Sequence, residues 1–273
     1  LLAAFDKAVS LEQNNQTEDA IKLYKQVIST EFNTRNKEVS ETKEKAIYKL
    51  GELYTKLKQP QELQALNQSI RPFFTDLPKA KTAKIVRTII ELVGKIENTQ
   101  EIQIDICKES IEWATREKRN FLRQRIESRL AALYFDKKDF TASLNLINKL
   151  SREVRRLDDK ELLVEIHLLE SRVQHALKNL PKARGALTAA RTAANAIYCP
   201  PLLQADIDMQ SGILHAEEKD YKTAFSYLFE AFEGYHSMES DANSILCLKY
   251  MLLCKVMTQD SEDVQNILSS KNA

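Results

Sequence analysis

The chain has 273 residues, enough to bury a sizeable core, and its 29% charged residues balance to a net charge of +1. That balance excludes a strong global field drawing it to nucleic acid or a membrane, so electrostatic recognition has to be local. Five glycines and six prolines, against about 19 and 14 from average usage, exclude a loop-rich fold and predict long regular elements with short connections.

A spaced pattern then returns six times along the chain. Anchored on Thr17, Pro60, Thr99, Phe140, Leu180 and Tyr221, its copies lie 43, 39, 41, 40 and 41 residues apart. Nine residues before the anchor stand Ala8, Gly51, Ile90, Ala131, Ser171 and Gly212; seven before stand Ser10, Leu53, Leu92, Leu133, Val173 and Leu214. Three after come Ala20, Leu63, Ile102, Ser143, Ala183 and Ala224; seven after come Tyr24, Asn67, Ile106, Ile147, Leu187 and Leu228. Such a period is one helical hairpin, and hairpins stack. Small residues 12 apart (Ala131 with Ser143, Ser171 with Ala183, Gly212 with Ala224) let the two helices of a hairpin cross tightly, as in tetratricopeptide repeats. Gly51 holds the matching place in the second hairpin. The fold expected is all-α, a right-handed α-solenoid of about six tetratricopeptide-like hairpins whose helices are longer than those of a 34-residue repeat.

In chain order, Ser29 to Glu38 reads as a longer loop after the first hairpin. In the fifth, Pro181 suits a first helical turn, the alanine-rich run that follows is strongly helical, and Cys199-Pro200-Pro201 ends it. Lys219-Asp220-Tyr221 makes the turn of the sixth, and Ser237 to Ser244 reads as a second longer loop. Beyond it Ile245 to Met257 is a nearly all-apolar helix, followed by Glu262 to Leu268. The domain reading is 1–240 for the repeats and 241–273 for further helices. The first residue is not Met, which reads as a fragment whose missing ends carry further functions.

Catalytic groupings are not found in the pattern. There is no glycine-rich phosphate loop and no HExxH, and His167, His175, His215 and His236 form no metal-ligand spacing. His167 with Glu170 reads as a hydrogen-bonded structural pair, and Cys247 with Cys254 as buried thiols on one apolar face. The scattered cysteines fit a reducing cytoplasmic and nuclear setting. No apolar run reaches the roughly 18 residues of a membrane span. The expectation is a non-enzyme with no cofactor and no metal.

Positive charge does cluster. Lys79, Lys81, Lys84 and Arg87 have no acid among them; Arg116, Lys118, Arg119, Arg123, Arg125 and Arg129 face only Glu117 and Glu127. On a helix Lys81, Lys84 and Arg87 share roughly a third of the circumference. The groups read either as a solvated face or as a surface for acidic protein partners, with Lys79, Lys81, Lys84, Arg87, Arg116, Lys118 and Arg119 as the candidates. Nucleic acid fits less well, since exposed aromatics are not interleaved.

Two stretches carry a resemblance. Residues 111–140 (IEWATREKRNFLRQRIESRLAALYFDKKDF) and 180–236, with LKYMLLCKVM at 248–257, resemble the PCI-family non-ATPase lid subunits of the 26S proteasome regulatory particle. The run 189–201 (AARTAANAIYCPP) is the most specific, because neither helix propensity nor repeat packing requires that order. The first 75 or so residues match only in general pattern. The resemblance implies a helical solenoid leading to a winged-helix module that lies beyond this sequence. It implies a scaffold and clamp that braces the lid against the ATPase ring and a core α-subunit for ubiquitin-dependent degradation. Its implied partners are lid subunits, an ATPase-ring subunit and a core α-subunit, with no nucleic acid, no membrane and no catalytic residue. Alternatives are a subunit of a related PCI complex such as the signalosome, a stand-alone peptide-binding adaptor, or an RNA-binding helical repeat.

Overall fold

The computed structural model describes residues 2–14, 16–30, 37–75 and 77–259. Glu262 to Leu268, and most of the first long loop, lie outside the described residues. The chain divides into two compact units inside one helix, between Leu133 and Tyr134. The first unit holds α1 (Leu2–Gln13), α2 (Thr17–Ser29), α3 (Lys37–Lys56), α4 (Pro60–Ser69), a 3₁₀ turn (Pro72–Thr75), α5 (Lys79–Gly94), α6 (Gln100–Arg116) and most of α7 (Asn120–Asp136). The second holds α8 (Phe140–Leu157), α9 (Lys160–Ala176), α10 (Leu180–Ala194), α11 (Pro201–Glu217), α12 (Tyr221–Ser237) and α13 (Asp241–Met257). Every regular element among the described residues is helical.

Five of the six anchors are the first residue of the second helix of a hairpin. Burial follows the register: Ala8, Ala131, Ser171, Ala20, Ser143, Ala183 and Ala224 are fully buried, and Leu53, Leu133, Val173 and Leu214 nearly so. Each such Leu stabilises its unit by about 1.5–3 kcal/mol relative to exposure. The glycines mark close approach. A Cβ on Gly51 would stand 2.7 Å from Leu92 Cδ1, and one on Gly212 would stand 2.5 Å from Leu228 Cγ. The positions that break the pattern have separate reasons. Ser10 is exposed, whereas Asn67 is buried and donates to Ser110 Oγ at 3.2 Å, which satisfies its amide.

The third hairpin departs further. Its helices are joined by residues 95–99, two more than in the other hairpins, and α6 starts one residue after the anchor. Thr99 Oγ1, 2.7 and 2.8 Å from the Ile96 and Val93 carbonyls, ties off the longer turn. The shift turns Gln103 inward instead of Ile102, and Gln103 Nε2 donates to the Ile90 carbonyl at 3.0 Å.

The turns are built without glycine. Lys58, Lys118, Lys138, Lys178, Lys219 and Glu239 carry the left-handed conformation. After α9, Lys178 N bonds to the His175 carbonyl and Asn179 N to the Gln174 carbonyl, the paired bonds of a Schellman turn. The same pairs follow α3, α6, α7, α11 and α12. Asp139, Asn179 and Asp220 then accept from the N–H three residues on and cap the next helix.

Two local expectations are corrected. Ser237 to Ser244 is not a long loop: α12 runs to Ser237 and α13 starts at Asp241. Most of its polar residues are the exposed end of one helix and the exposed start of the next, joined by the Glu239 turn, while Ser244 is buried. Pro200 and Pro201 do not end α10, which stops at Ala194; Pro201 instead opens α11, where a missing N–H costs nothing.

Candidate partner-binding surfaces

The first basic group sits on α5 in the first unit, but its members differ. Lys81 Nζ lies 3.1 Å from Glu44 on α3. Lys84 Nζ stands 5.9 Å from the centre of the Tyr48 ring, and Tyr48 donates its hydroxyl to Glu44 at 3.1 Å. Burial, with Glu44 beside it, holds that phenol well above its ordinary range, so it remains a donor. Arg87 is paired along its own helix with Glu91 at 3.6 Å. Lys79 is exposed, at the first position of α5, where the helix dipole disfavours a cation by about 0.3–1 kcal/mol.

Of the second group, Arg116 and Lys118 are exposed at the end of α6 and in its turn. Arg119 points back into the unit. Its Nη2 donates to the Phe74 carbonyl at 2.8 Å, its guanidinium lies 5.0 Å from the Trp113 ring centre, and its Nη1 is buried without a hydrogen-bond partner. It fastens the 3₁₀ turn to the end of α6. Arg123, one turn into α7, pairs with the buried Glu127 at 3.1 Å. Lys79, Arg116 and Lys118 are therefore exposed, Arg87 is half engaged, and Lys84 is exposed above the Tyr48 ring. Lys81 and Arg119 work inside the unit.

Sequence reasoning missed the main polar network of the second unit. Arg191 on α10 lies 4.8 Å from the Tyr227 ring centre, donates to Tyr227 Oη at 3.1 Å and to Ser211 Oγ at 2.7 Å, and stands 4.0 Å from Asp208. Burial raises the Asp208 carboxyl above its usual range. Arg184 meets both carboxylate oxygens of Glu218 at 2.9 Å. Tyr235 donates to Asp206 at 2.7 Å, and Asp206 also accepts from Arg172 at 3.0 Å. The partners lie 17 to 36 residues away along the chain. The only local signal was the order of residues 189–201: Arg191 is its single charge, between Ala190 and Ala194, which are buried and let the neighbouring helix approach.

His167, 3.1 Å from Glu170 and 3.4 Å from Arg155, is a structural hydrogen-bonding residue. Burial pushes the Cys107 thiol up to about 12 and the Cys247 thiol up to about 11, the opposite of what a nucleophile needs. Among the described residues no three His, Cys, Asp or Glu side chains converge as metal ligands, and no helix is long and apolar enough to cross a membrane.

Paired helices with fixed spacing, locked by matched internal charges, define an all-α helical-repeat protein. Two solved structures share that fold: a Rap protein complexed with competence and sporulation factor (TM-score 0.62, 12% identity, 97% of this chain and 73% of that one) and BtubC from P. vanneervenii (TM-score 0.60, 10% identity, 84% and 91%). Sequence narrows the class. Residues 2–137 match the 26S proteasome regulatory subunit RPN6 N-terminal domain. The 26S proteasome non-ATPase regulatory subunit 11 homolog of Arabidopsis thaliana is 52% identical over 98% of the chain, and the probable regulatory subunit rpn6 of Schizosaccharomyces pombe 44% identical over 99%. The Saccharomyces cerevisiae regulatory subunit RPN6 is 47% identical over 84% of the chain and is covered over 53% of its own length. The chain belongs to this Rpn6 family of 26S proteasome regulatory subunits. It spans 63% of the length of the plant relative and 64% of the fission-yeast one. The likeness includes the first 75 residues, where the sequence pattern alone showed only a general match.

Proposed function

We propose that the chain is the helical-repeat arm of a lid subunit of the 26S proteasome regulatory particle. It acts as a structural scaffold and clamp, without catalysis of its own, in ubiquitin-dependent degradation. In this reading its partners are lid subunits, an ATPase-ring subunit and a core α-subunit, it works in cytoplasm and nucleus, and it braces the lid against ring and core. The observation that carries the proposal is the 52% and 44% identity, over nearly all of this chain, to relatives named as 26S proteasome regulatory subunits. The placement of Lys79 supports a contact role for the basic residues: a lysine on an uncapped helix N-terminus weakens the helix it starts, so its charge is better explained by something outside.

The test uses the full-length protein that contains this chain, purified from cells. Co-sedimentation with lid, ring and core subunits is expected; a protein that sediments free of them ends the proposal. Reversing Lys79, Arg116 and Lys118 to Glu in that protein is expected to leave lid incorporation intact and to weaken attachment to ring or core, more so as salt rises. Attachment equal to the parent at every salt concentration removes these residues from the contact.

A further inference from the structure

In the second unit α10 and α11 leave a pocket of ≈ 120 Å³ between them. Its floor is apolar, since Leu187 and Leu214 line it and are buried. Its rim is polar. Arg184 and Arg191 stand two turns apart on α10, and Ser211, His215 and Glu218 follow the same helical spacing on α11. Two guanidinium groups thus line the pocket against one carboxylate.

Arg191 is held in place within the chain itself. Its guanidinium lies 4.8 Å from the Tyr227 ring centre, and its Nη1 and Nη2 donate to the Tyr227 and Ser211 hydroxyls at 3.1 and 2.7 Å. Ser211 donates in turn to the Ile207 carbonyl at 2.7 Å, so its oxygen stays aimed as an acceptor. Both acceptors on Arg191 are neutral. The carboxylate beside it, Asp208, is 4.0 Å away, beyond hydrogen-bonding distance, and accepts instead from Gln204 at 2.8 Å. Arg191 therefore keeps a 37% exposed side chain, a fixed orientation and a charge with no carboxylate in contact. Arg184 meets both oxygens of Glu218 through Nη1 alone. Its Nη2 and Nε make no hydrogen bond among the described residues, and its side chain is 55% exposed.

We propose that this pocket binds the side-chain carboxylate of a glutamate on a partner protein, its oxygens accepting from the unused donors of Arg184 and Arg191 and its methylenes resting on Leu187 and Leu214. The chemistry selects that occupant. Planar guanidinium forks match a planar carboxylate and gain from its charge. Glu218 and the nearby Asp208 keep the local positive charge low, which disfavours a dianion such as phosphate. A leucine floor beneath a polar rim calls for an apolar stem ending in a polar head, which a glutamate has and a bare anion lacks. The site lies in the second unit, uses none of the basic residues of the first, and does not depend on which assembly holds the chain.

The test titrates the 273-residue chain with N-acetylglutamate α-N-methylamide and follows the ring protons of its four histidines by NMR, His215 being assigned through His215→Asn. The glutamate compound is expected to move the His215 signal saturably and leave that of His236 in place. The isosteric N-acetylglutamine N-methylamide is expected to move neither. Arg184→Gln, on the exposed rim, is expected to weaken binding by about tenfold, and Arg191→Lys, which keeps the charge and loses the fork, by a similar factor. Lys249→Gln, which removes one exposed positive charge elsewhere in the unit, is expected to change nothing, and melting of each variant controls for folding. A still His215 signal, equal response to the glutamine compound, unchanged affinity in both arginine variants, or equal losses with Lys249→Gln would each overturn the assignment. Tighter binding of N-acetylalanine, whose carboxylate is that of a chain end, or of inorganic phosphate would overturn the choice of glutamate.

Discussion

Two glycines in the second unit turn helix packing into a signed prediction. Gly185 on α10 has nothing within 4 Å of where a Cβ would stand, whereas at Gly212 on α11 a Cβ would meet Leu228 Cγ at 2.5 Å, Leu228 Cδ2 at 2.9 Å and the Ala224 carbonyl oxygen at 3.2 Å. Replacing either by Ala gains about 0.8–1 kcal/mol of helix propensity. At Gly185 nothing opposes that gain, so Gly185→Ala is expected to stabilise by about that amount. At Gly212 the Cβ needs Leu228 to move from its base, and Leu228 is fully buried. The overpacking cost of about 1–3 kcal/mol outweighs or cancels the gain. Because both changes are Gly→Ala in helices of one unit, propensity cancels in their difference, which isolates the packing cost at about 1–3 kcal/mol. Urea denaturation of the two variants measures it directly, and thermal melting reports about 2–4 °C per kcal/mol for a chain of this size. If Gly212→Ala proves as stabilising as Gly185→Ala, the close crossing of α11 and α12 at that point is refuted.

Other perturbations test other parts. Lys138 holds a left-handed backbone at φ 65°, so Lys138→Gly is expected to raise stability by about 1 kcal/mol in the same denaturation assay, whereas most surface changes do nothing. Arg119→Ala removes the bond to the Phe74 carbonyl and the stack on Trp113, and is expected to cost about 2 kcal/mol in the first unit, seen as an earlier melt and faster amide exchange around residues 72–74. Acid should loosen the second unit. The bonds from Thr223 hold Asp220 below 3.8, and Lys178, with His175, holds Glu217 below 4.5. Both carboxylates then contribute above those unfolded values, and the contribution fades as pH falls through the lower folded ones. Melting temperature should drop below about pH 4, and Asp220→Asn should flatten that limb; an unchanged acid limb would remove Asp220 from the account.

The recurrence made the hairpins legible because burial repeats with it. Ala20, Ala183 and Ala224 are fully buried, and because their small size recurs at one place in each hairpin it is readable in one dimension. Punctuation was less legible. A left-handed turn advertises itself by glycine, and here lysine fills it, with the bonding done by backbone N–H groups that carry no residue identity. The polar stretch after Ser237 misled for a related reason: polarity marks solvent, and a helix end is as wet as a loop. The basic clusters showed the opposite failure. Sequence locates charge but not its partner, and Glu44 lies 37 positions before Lys81, while the Phe74 carbonyl lies 45 before Arg119.

The densest helix contacts join sequence neighbours: α9 with α10, α11 with α12, and α12 with α13. That locality has a temporal side. A helix leaving the ribosome finds its main partner in the segment just made, so loop closure is short and its entropy small. Each hairpin can shelter its apolar stripe within seconds at translation rates of about 5–20 residues per second, before the remainder of the chain exists. A protein assembled in this way lowers the time it exposes sticky surface to chaperones and proteases, which suits the proposed role of an arm that has to survive long enough to be built into something larger.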